Sequence, residues 1–378
     1  MLIINGKFLS TQGTGVSRVA YELLIQLGHH REELTQLFGS VPIIMAPRGA
    51  NAMKRELPFK LYNRSLLTWQ FWEQLELPLR ARNGVLLSLC NLSPILHPRT
   101  VTMIHDAQTF SSPRSYDFAF RNFYQVMLPI IGRRSLRTLT VSNYSASQLE
   151  HFGIAPRGAI DVVHNGADHC DMAKARPDAI TRLGLTRGRY VLALASAQVH
   201  KNIGVLLRAF SDPSMADLKL VLFGKFNISS FTTQGYVIPD NVIFTGRIDD
   251  ATLAGLMQDA LCFAMPSRTE GFGLPPLETM LRGSPAIIAP CGALPEVCGD
   301  GALRAGVDRP DEWRSTIRRL ADDPQERAKW AAAGLKQARR MSWGAAGDRL
   351  MSSLRDVAAA LAVPSHHGTL PYSTTRPA

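Results

Sequence analysis

The chain has 378 residues and a formal net charge of +11, from 42 Lys and Arg against 31 Asp and Glu. Apolar residues at 46% with charged residues at 19% exclude a disordered chain and leave material for large cores. The length is about twice that of a typical domain, so two domains are expected.

Five cysteines, Cys90, Cys170, Cys262, Cys291 and Cys298, are scattered and form no C-x-x-C pair. A zinc ribbon or disulfide scaffold is therefore not expected, and a reducing, cytoplasmic setting fits. No segment reaches the roughly 18–20 apolar residues that span a bilayer. The start, Met1-Leu2-Ile3-Ile4-Asn5-Gly6-Lys7, reads as a first strand rather than a signal peptide. The positive charge leaves three partners open: nucleic acid, an anionic membrane surface, or a phosphorylated substrate.

In chain order, Leu2–Ile4 reads as a strand, followed by a Gly-bearing loop and an amphipathic helix over Gly15–Leu27. Ile43–Met45, Gly84–Leu89, Val101–Ile104, Thr138–Val141 and Asp161–Val163 are further buried-strand candidates. The pattern restarts with strands at Tyr190–Ala195, Leu218–Phe223, Val242–Phe244, Cys262–Met265 and Ala286–Ala289. Between them Gly204–Phe210, Asp250–Ala260, Pro275–Arg282 and Asp311–Ala321 read as helices. Short apolar runs separated by helices indicate parallel strands with helices on both faces.

The fold class expected is α/β: two Rossmann-like domains facing across a cleft. Residues 1–175 form an N-terminal Rossmann-like domain and 186–345 a C-terminal one. Residues 346–361 form a helix that can return to the N-terminal domain, and 362–378 read as a disordered tail. In open α/β sheets ligands bind at the carboxyl ends of strands, so the loops after strands should carry the chemistry.

The most informative of these loops is Pro266-Ser267-Arg268-Thr269-Glu270-Gly271-Phe272-Gly273-Leu274-Pro275-Pro276-Leu277-Glu278. A strand runs into glycines, and two prolines suit the first turn of a helix. The amides of Gly271, Phe272, Gly273 and Leu274 beside a helix N-terminus would suit a diphosphate. Carboxylates repel phosphate, so Glu270 and Glu278 should face neutral, hydroxyl-rich parts of a ligand. Without a ligand, the same loop reads as a tight strand-to-helix turn.

Glu270-x7-Glu278 with Gly-Phe-Gly-Leu-Pro between resembles the signature of family 4 retaining glycosyltransferases, which have the GT-B fold. The flanks agree: Phe244-Thr245-Gly246-Arg247 precedes it and Leu294-Pro295-Glu296-Val297 follows. The resemblance covers roughly residues 1–355 and is densest over 190–302. It implies that Glu270 contacts the transferred sugar, Glu278 the nucleotide ribose, and the loop of Phe272, Gly273 and Leu274 phosphate or sugar oxygens. It implies that Lys201, in Ser196-Ala197-Gln198-Val199-His200-Lys201-Asn202, binds the donor diphosphate. Many relatives carry an Arg five residues before this Lys or immediately before it, where this chain has Ser196 and His200.

His105, at the end of the Val101–Ile104 strand, resembles the family's active-site histidine. A His in such a place can donate a hydrogen bond to a reacting hydroxyl or phosphate. Gly15, in Ser10-Thr11-Gln12-Gly13-Thr14-Gly15-Val16-Ser17-Arg18, resembles a Gly-containing loop near the donor phosphates. That loop is not a dinucleotide fingerprint, because Arg18 stands where a third glycine is required.

Arg114–Arg137 combines five aromatics with five Arg and one Asp. Such a stretch can lie at an anionic lipid interface or pack as a domain helix. It also suits nucleic acid, but no nucleic-acid motif accompanies it.

The resemblance therefore implies a metal-independent hexosyltransferase with no cofactor and a nucleotide diphosphate sugar as co-substrate. Mannose from GDP-mannose is the first donor expected, with a glycan or polyprenyl-linked acceptor in cell-surface polysaccharide assembly. Retention of configuration, a peripheral contact with anionic membrane and no nucleic-acid partner complete the expectation. The alternatives are a GT-B epimerase or phosphorylase, and a noncatalytic basic nucleic-acid-binding protein.

Overall fold

The structure, a computed structural model, describes residues 1–10, 14–50, 56–172, 174–196 and 198–363. The expected tail, from 364 on, and Thr11, Gln12 and Gly13 of the first Gly-bearing loop lie outside the described residues.

The chain forms two units. Unit 1 takes residues 1–110, 118–165 and the segment from 343 on; unit 2 takes 111–117 and 166–342. The crossings thus fall ahead of the expected 175–186 and 345. The reason is packing: the Arg176 N–H donates to the Ala251 carbonyl at 2.9 Å, and His169 meets Glu278 at 3.0 Å. The segment from 166 on is therefore held by unit 2.

Unit 1 contains β1 (Leu2–Asn5), β2 (Ile43–Met45), β3 (Lys60–Tyr62), β4 (Val85–Ser88), β5 (Thr100–Met103), β6 (Arg137–Thr140) and β7 (Ile160–Val162). All its pairings are parallel, in the order β3-β2-β1-β4-β5-β6-β7. The central strands β1, β4 and β5 are buried throughout, so their continuous apolar runs were readable. β3 has exposed ends and a charged Lys60, which marks an edge strand and hides it from an apolar-run reading.

Helix α1 (Gly15–His29) starts with a capping box in which Thr14 and Ser17 bond reciprocally. It buries Val19, Ala20, Leu23, Leu24 and Leu27. Helix α2 (Phe118–Arg134) contributes Leu128 and Ile131 to a core with Ile104 and Leu149.

Unit 2 contains β8 (Tyr190–Leu194), β9 (Lys219–Phe223), β10 (Val242–Gly246), β11 (Cys262–Met265), β12 (Ala286–Ile288) and β13 (Leu303–Arg304). Its order is β10-β9-β8-β11-β12-β13, again all parallel. Helices α3 (Ile203–Phe210), α4 (Leu274–Leu281), α5 (Pro310–Asp322) and α6 (Pro324–Ala338) belong to this unit. The core on one side joins Val191, Leu220 and Leu222 of the sheet to Leu206 and Phe210 of α3 and Trp313 of α5.

Helix α7 (Trp343–Ala362) belongs to unit 1 and packs on α1. At Gly347 a Cβ would come within 2.6 Å of Gln26 Cβ, so the glycine permits this close helix approach. The Arg355 guanidinium pairs with Glu33 beyond it.

Both sheets reverse direction once. In unit 1 the reversal lies between β1 and β4, and in unit 2 between β8 and β11. At such a point the loops leaving two adjacent strands diverge and open a crevice at their carboxyl ends.

Candidate active site

The loops after β8 and β11 carry Lys201 and Glu270, and the structure brings them together. Lys201 Nζ lies 2.8 and 3.0 Å from the two carboxylate oxygens of Glu270. Local stitching explains this meeting of residues 69 positions apart. Asn202, with φ +53°, turns the chain after Lys201, and its amide donates to the carbonyls of Pro266 (3.1 Å) and Val307 (2.6 Å). The Arg268 N–H donates to the His200 carbonyl at 2.7 Å. The two loops are thus sewn side by side.

Glu270 is 7% exposed and fixed from behind. Its carbonyl accepts from the Ala293 N–H at 3.0 Å. At Gly292, φ is +64° and a Cβ would sit 2.5 Å from the Glu270 nitrogen and 2.8 Å from its oxygen. Only glycine lets this turn press on the Glu270 backbone.

Gly273 has φ +105° and a Cβ there would lie 2.6 Å from Leu294 Cδ2, so the loop's last turn is also specific for glycine. Phe272 is buried, and Leu274 opens α4. Pro275 and Pro276 have no N–H, so the first turn of α4 offers only the Leu274 and Leu277 amides to a ligand. The prolines follow the amides of Gly271, Phe272, Gly273 and Leu274 and remove none of those four.

Glu278 acquires a partner that the sequence reading missed. His169 Nε2 lies 3.0 Å from Glu278 Oε1, with the His169 side chain almost completely enclosed. The Cys170 thiol donates to the Glu278 carbonyl at 3.8 Å, and the Arg282 guanidinium donates to the Cys170 carbonyl. The two carboxylates of Glu-x7-Glu therefore each face a nitrogen base, one a lysine and the other a histidine.

His200 is buried and its pKa is pushed down to about 4, first by desolvation and then by the neighbouring Lys201 charge. Its Nδ1 lies 2.8 Å from Ser115 Oγ, and the Tyr116 ring stacks at 6.3 Å. Its Nε2 is buried without a hydrogen-bond partner. At neutral pH the ring is uncharged, so Lys201 is the cation of this loop.

In unit 1, His105 follows β5 and is buried. Its backbone N–H donates to Asn91 Oδ1 at 2.8 Å, and its Nε2 lies 2.9 Å from the Leu89 carbonyl. A carbonyl only accepts, so Nε2 carries the proton and Nδ1 keeps a lone pair. Burial pushes the ring's pKa down to about 4. With Nε2–H committed to the Leu89 carbonyl, Nδ1 is the remaining nitrogen of the neutral ring, and it can accept but not donate.

Gly15 is exposed and no atom lies within 4 Å of a Cβ placed there. The fold itself does not require glycine at this position.

Among the described residues, no helix is long and apolar enough to cross a membrane.

Comparison with known proteins places these features in context. Residues 178–337 match the family described as "Glycosyl transferases group 1". The chain is 23% identical to the O-antigen chain mannosyltransferase RfbU of Salmonella typhimurium over 85% of this chain and 92% of that protein. It is 27% identical to a D-inositol 3-phosphate glycosyltransferase of Segniliparus rotundus, over 68% of this chain and only 61% of the relative's length. Among solved structures, HepE of Anabaena, determined in complex with UDP-glucose, superposes with a TM-score of 0.71 at 17% identity over 94% of this chain and 99% of the other. The paired parallel sheets with Rossmann strand order and the likeness to this and other solved structures together show that the chain has the GT-B fold.

Proposed function

We propose that the protein transfers a hexose from a nucleotide diphosphate sugar to a hydroxyl of a glycan or lipid-linked oligosaccharide in cell-surface polysaccharide assembly. Mannose from GDP-mannose is the first donor in this reading, and the anomeric configuration is retained. One observation carries it: the Lys201–Glu270 pair at the strand reversal of unit 2. When a glycosyl–phosphate bond breaks, negative charge grows on the departing diphosphate. A fixed ammonium there lowers the barrier more than it stabilises the ground state.

The pair defines a division of labour. Lys201 exchanges Glu270 for phosphate oxygens, and the released Glu270 carboxylate accepts from sugar hydroxyls. Glu278, oriented by His169, accepts from the ribose hydroxyls. His105 accepts at Nδ1 from a hydroxyl of the reacting sugar. The donor diphosphate is the base for the incoming acceptor hydroxyl, and no metal is required in this scheme.

Support comes from the group 1 match over residues 178–337, from the mannosyltransferase among the relatives, and from the UDP-glucose complex of the HepE neighbour. The test is a panel of GDP-, UDP-, ADP- and dTDP-sugars, read first as thermal stabilisation and then as transfer to a membrane glycolipid extract. Stabilisation by one nucleotide sugar and an α-linked product by NMR are expected. No stabilisation by any of the panel, or a β-linked product from an α-linked donor, contradicts the proposal.

A further inference from the structure

Unit 1 also holds a charged pair at its strand reversal, and the roles assigned above do not use it. Asn5 ends β1, Ser88 ends β4, and Lys7 follows β1 by two residues. A carboxylate joins them from elsewhere in the chain: Glu73, in the continuous helical run Trp69–Phe71, Trp72–Glu76 and Leu77–Arg80. Lys7 Nζ donates to Glu73 Oε2 at 2.6 Å and to Gln70 Oε1 at 2.8 Å. Asn5 Nδ2 donates to Glu73 Oε1 at 2.8 Å and to Ser88 Oγ at 3.2 Å, while Asn5 Oδ1 accepts from the Lys7 N–H at 3.1 Å.

The fold has no need of charge here. Desolvating an ion pair costs several kcal/mol, and a well-packed apolar pair of like volume stabilises as much or more. The run that supplies Glu73 is itself unusual. Its middle segment, Trp72–Glu76, is a π-helix, a rare form concentrated at functional positions, and Trp69 at its start has a strained φ of +54°. Phe71, Leu75 and Leu79 on its outer side are exposed, so Trp72, Glu73 and Leu77 seat it.

The same turn that fixes this pair fixes the candidate histidine. After Ser88 comes Leu89, whose carbonyl accepts from His105 Nε2 at 2.9 Å, and then Asn91, whose Oδ1 accepts from the His105 N–H at 2.8 Å. The order β1-β4-β5 sets the Lys7 and His105 loops two strand spacings, about 10 Å, apart. Two linked sugar rings have that reach.

Access and charge identify the ligand. Glu73 has both oxygens taken and its side chain is 2% exposed, whereas the Lys7 side chain is 22% exposed. Among the described residues the ammonium has two acceptors for its three protons, and the Gln70 amide nitrogen has no acceptor. The site therefore offers N–H donors from a pair with no net charge. A phosphate would have to draw Lys7 off Glu73 and strand a buried carboxylate. Hydroxyl oxygens accept from these donors and leave the pair intact.

We propose that Lys7 and Gln70 bind neutral hydroxyls of the acceptor sugar, and that Glu73 and Asn5 are positioning residues for Lys7. This deepens the transferase reading and rests on it. The test reads acceptor kinetics with the membrane glycolipid extract at saturating donor, beside calorimetric titration with the donor alone. Gln70→Ala should raise the apparent acceptor KM about fivefold, the loss of one neutral hydrogen bond. Lys7→Met with Glu73→Gln should raise it by at least about tenfold, the loss of a charge-assisted one. In both variants kcat and the donor Kd should stay within about twofold of wild type, a split that a merely structural role would not give. The paired substitution removes both charges together and keeps the acceptor for Asn5, so no buried charge is orphaned. Gln70 is half-buried, and its variant should keep the wild-type thermal midpoint. An unchanged acceptor KM in either variant, or a donor Kd weakened as much as the acceptor KM, overturns the inference and leaves the transferase reading standing. A wild-type chain that binds no nucleotide sugar overturns both.

Discussion

Unit 1 and unit 2 are wound in the same way, with their first and fourth strands adjacent at the reversal, yet they use that scaffold differently. In unit 2 the loops leaving the reversal carry a lysine and two carboxylates, each side chain largely enclosed and each already paired. In unit 1 a loop one strand beyond the reversal, after β5, carries a neutral histidine, and the net positive charge and exposed apolar surface lie at the sheet's other flank, around Leu66 and Arg80. The difference teaches that topology decides where a ligand can enter, while the loops decide what it is. A preorganised ammonium suits a leaving diphosphate. A neutral ring suits a hydroxyl that must be oriented without adding charge.

The first way to break this contrast is to delete its reacting groups. Glu270→Ala should lower turnover about 10³-fold with the fold intact, and His105→Ala about 10²-fold, in a radiolabelled transfer assay. Near-wild-type turnover in either variant removes that residue from the site. Next in size is Gly292→Ala. Its Cβ would collide with the Glu270 backbone at 2.5 Å, so a loss of about 3 kcal/mol is expected in denaturant unfolding. Turnover should fall even where the variant remains folded.

A smaller effect should separate the two carboxylates. His169→Ala frees Glu278 to rotate, so the donor KM should rise about tenfold with kcat nearly unchanged. With a donor lacking ribose hydroxyls, variant and wild type should become alike. A kcat loss that persists with that donor would mean that His169 acts elsewhere.

One expected signal is shared by both units. His105 and His200 both have pKa values pushed from 6.5 down to about 4 by burial. Between those limits the unfolded chain binds more protons than the native one, so stability falls as pH drops from 6.5 towards 4. Above 6.5 the contribution is complete and flat. Each ring contributes at most about 3 kcal/mol of this acid sensitivity. Thermal unfolding at pH 7.5 and pH 5 should show it, and His200→Gln should reduce the difference.

Much of the scaffold was readable because its strands are buried on both faces. Leu2–Asn5 and Cys262–Met265 are buried throughout and coincide with continuous apolar runs, and the two-fold restart of the pattern announces two α/β units. The strands that escaped are those without such a signal: Lys60–Tyr62, exposed at an edge, and the two-residue Leu303–Arg304. The Glu270–Glu278 loop was readable through its glycines and prolines, each of which answers a local backbone demand. His169 was not, because it meets Glu278 across 109 positions and no local spacing encodes that contact. The direction of the His105 hydrogen bond was equally hidden, since it depends on the Leu89 carbonyl from a neighbouring strand end. The exposed row at 71, 75 and 79 carries no signal of its own in the sequence, because apolar residues all around a helix look like core until burial is known.

The central claim is that Lys201 and Glu270 form the donor site of unit 2, and calorimetric titration with the nucleotide sugar tests it without any acceptor. Wild-type protein should bind one donor per chain. Lys201→Ala should weaken that binding about 10²-fold, with the largest loss for the nucleoside diphosphate product. Unchanged affinity of Lys201→Ala for both donor and product would contradict the account.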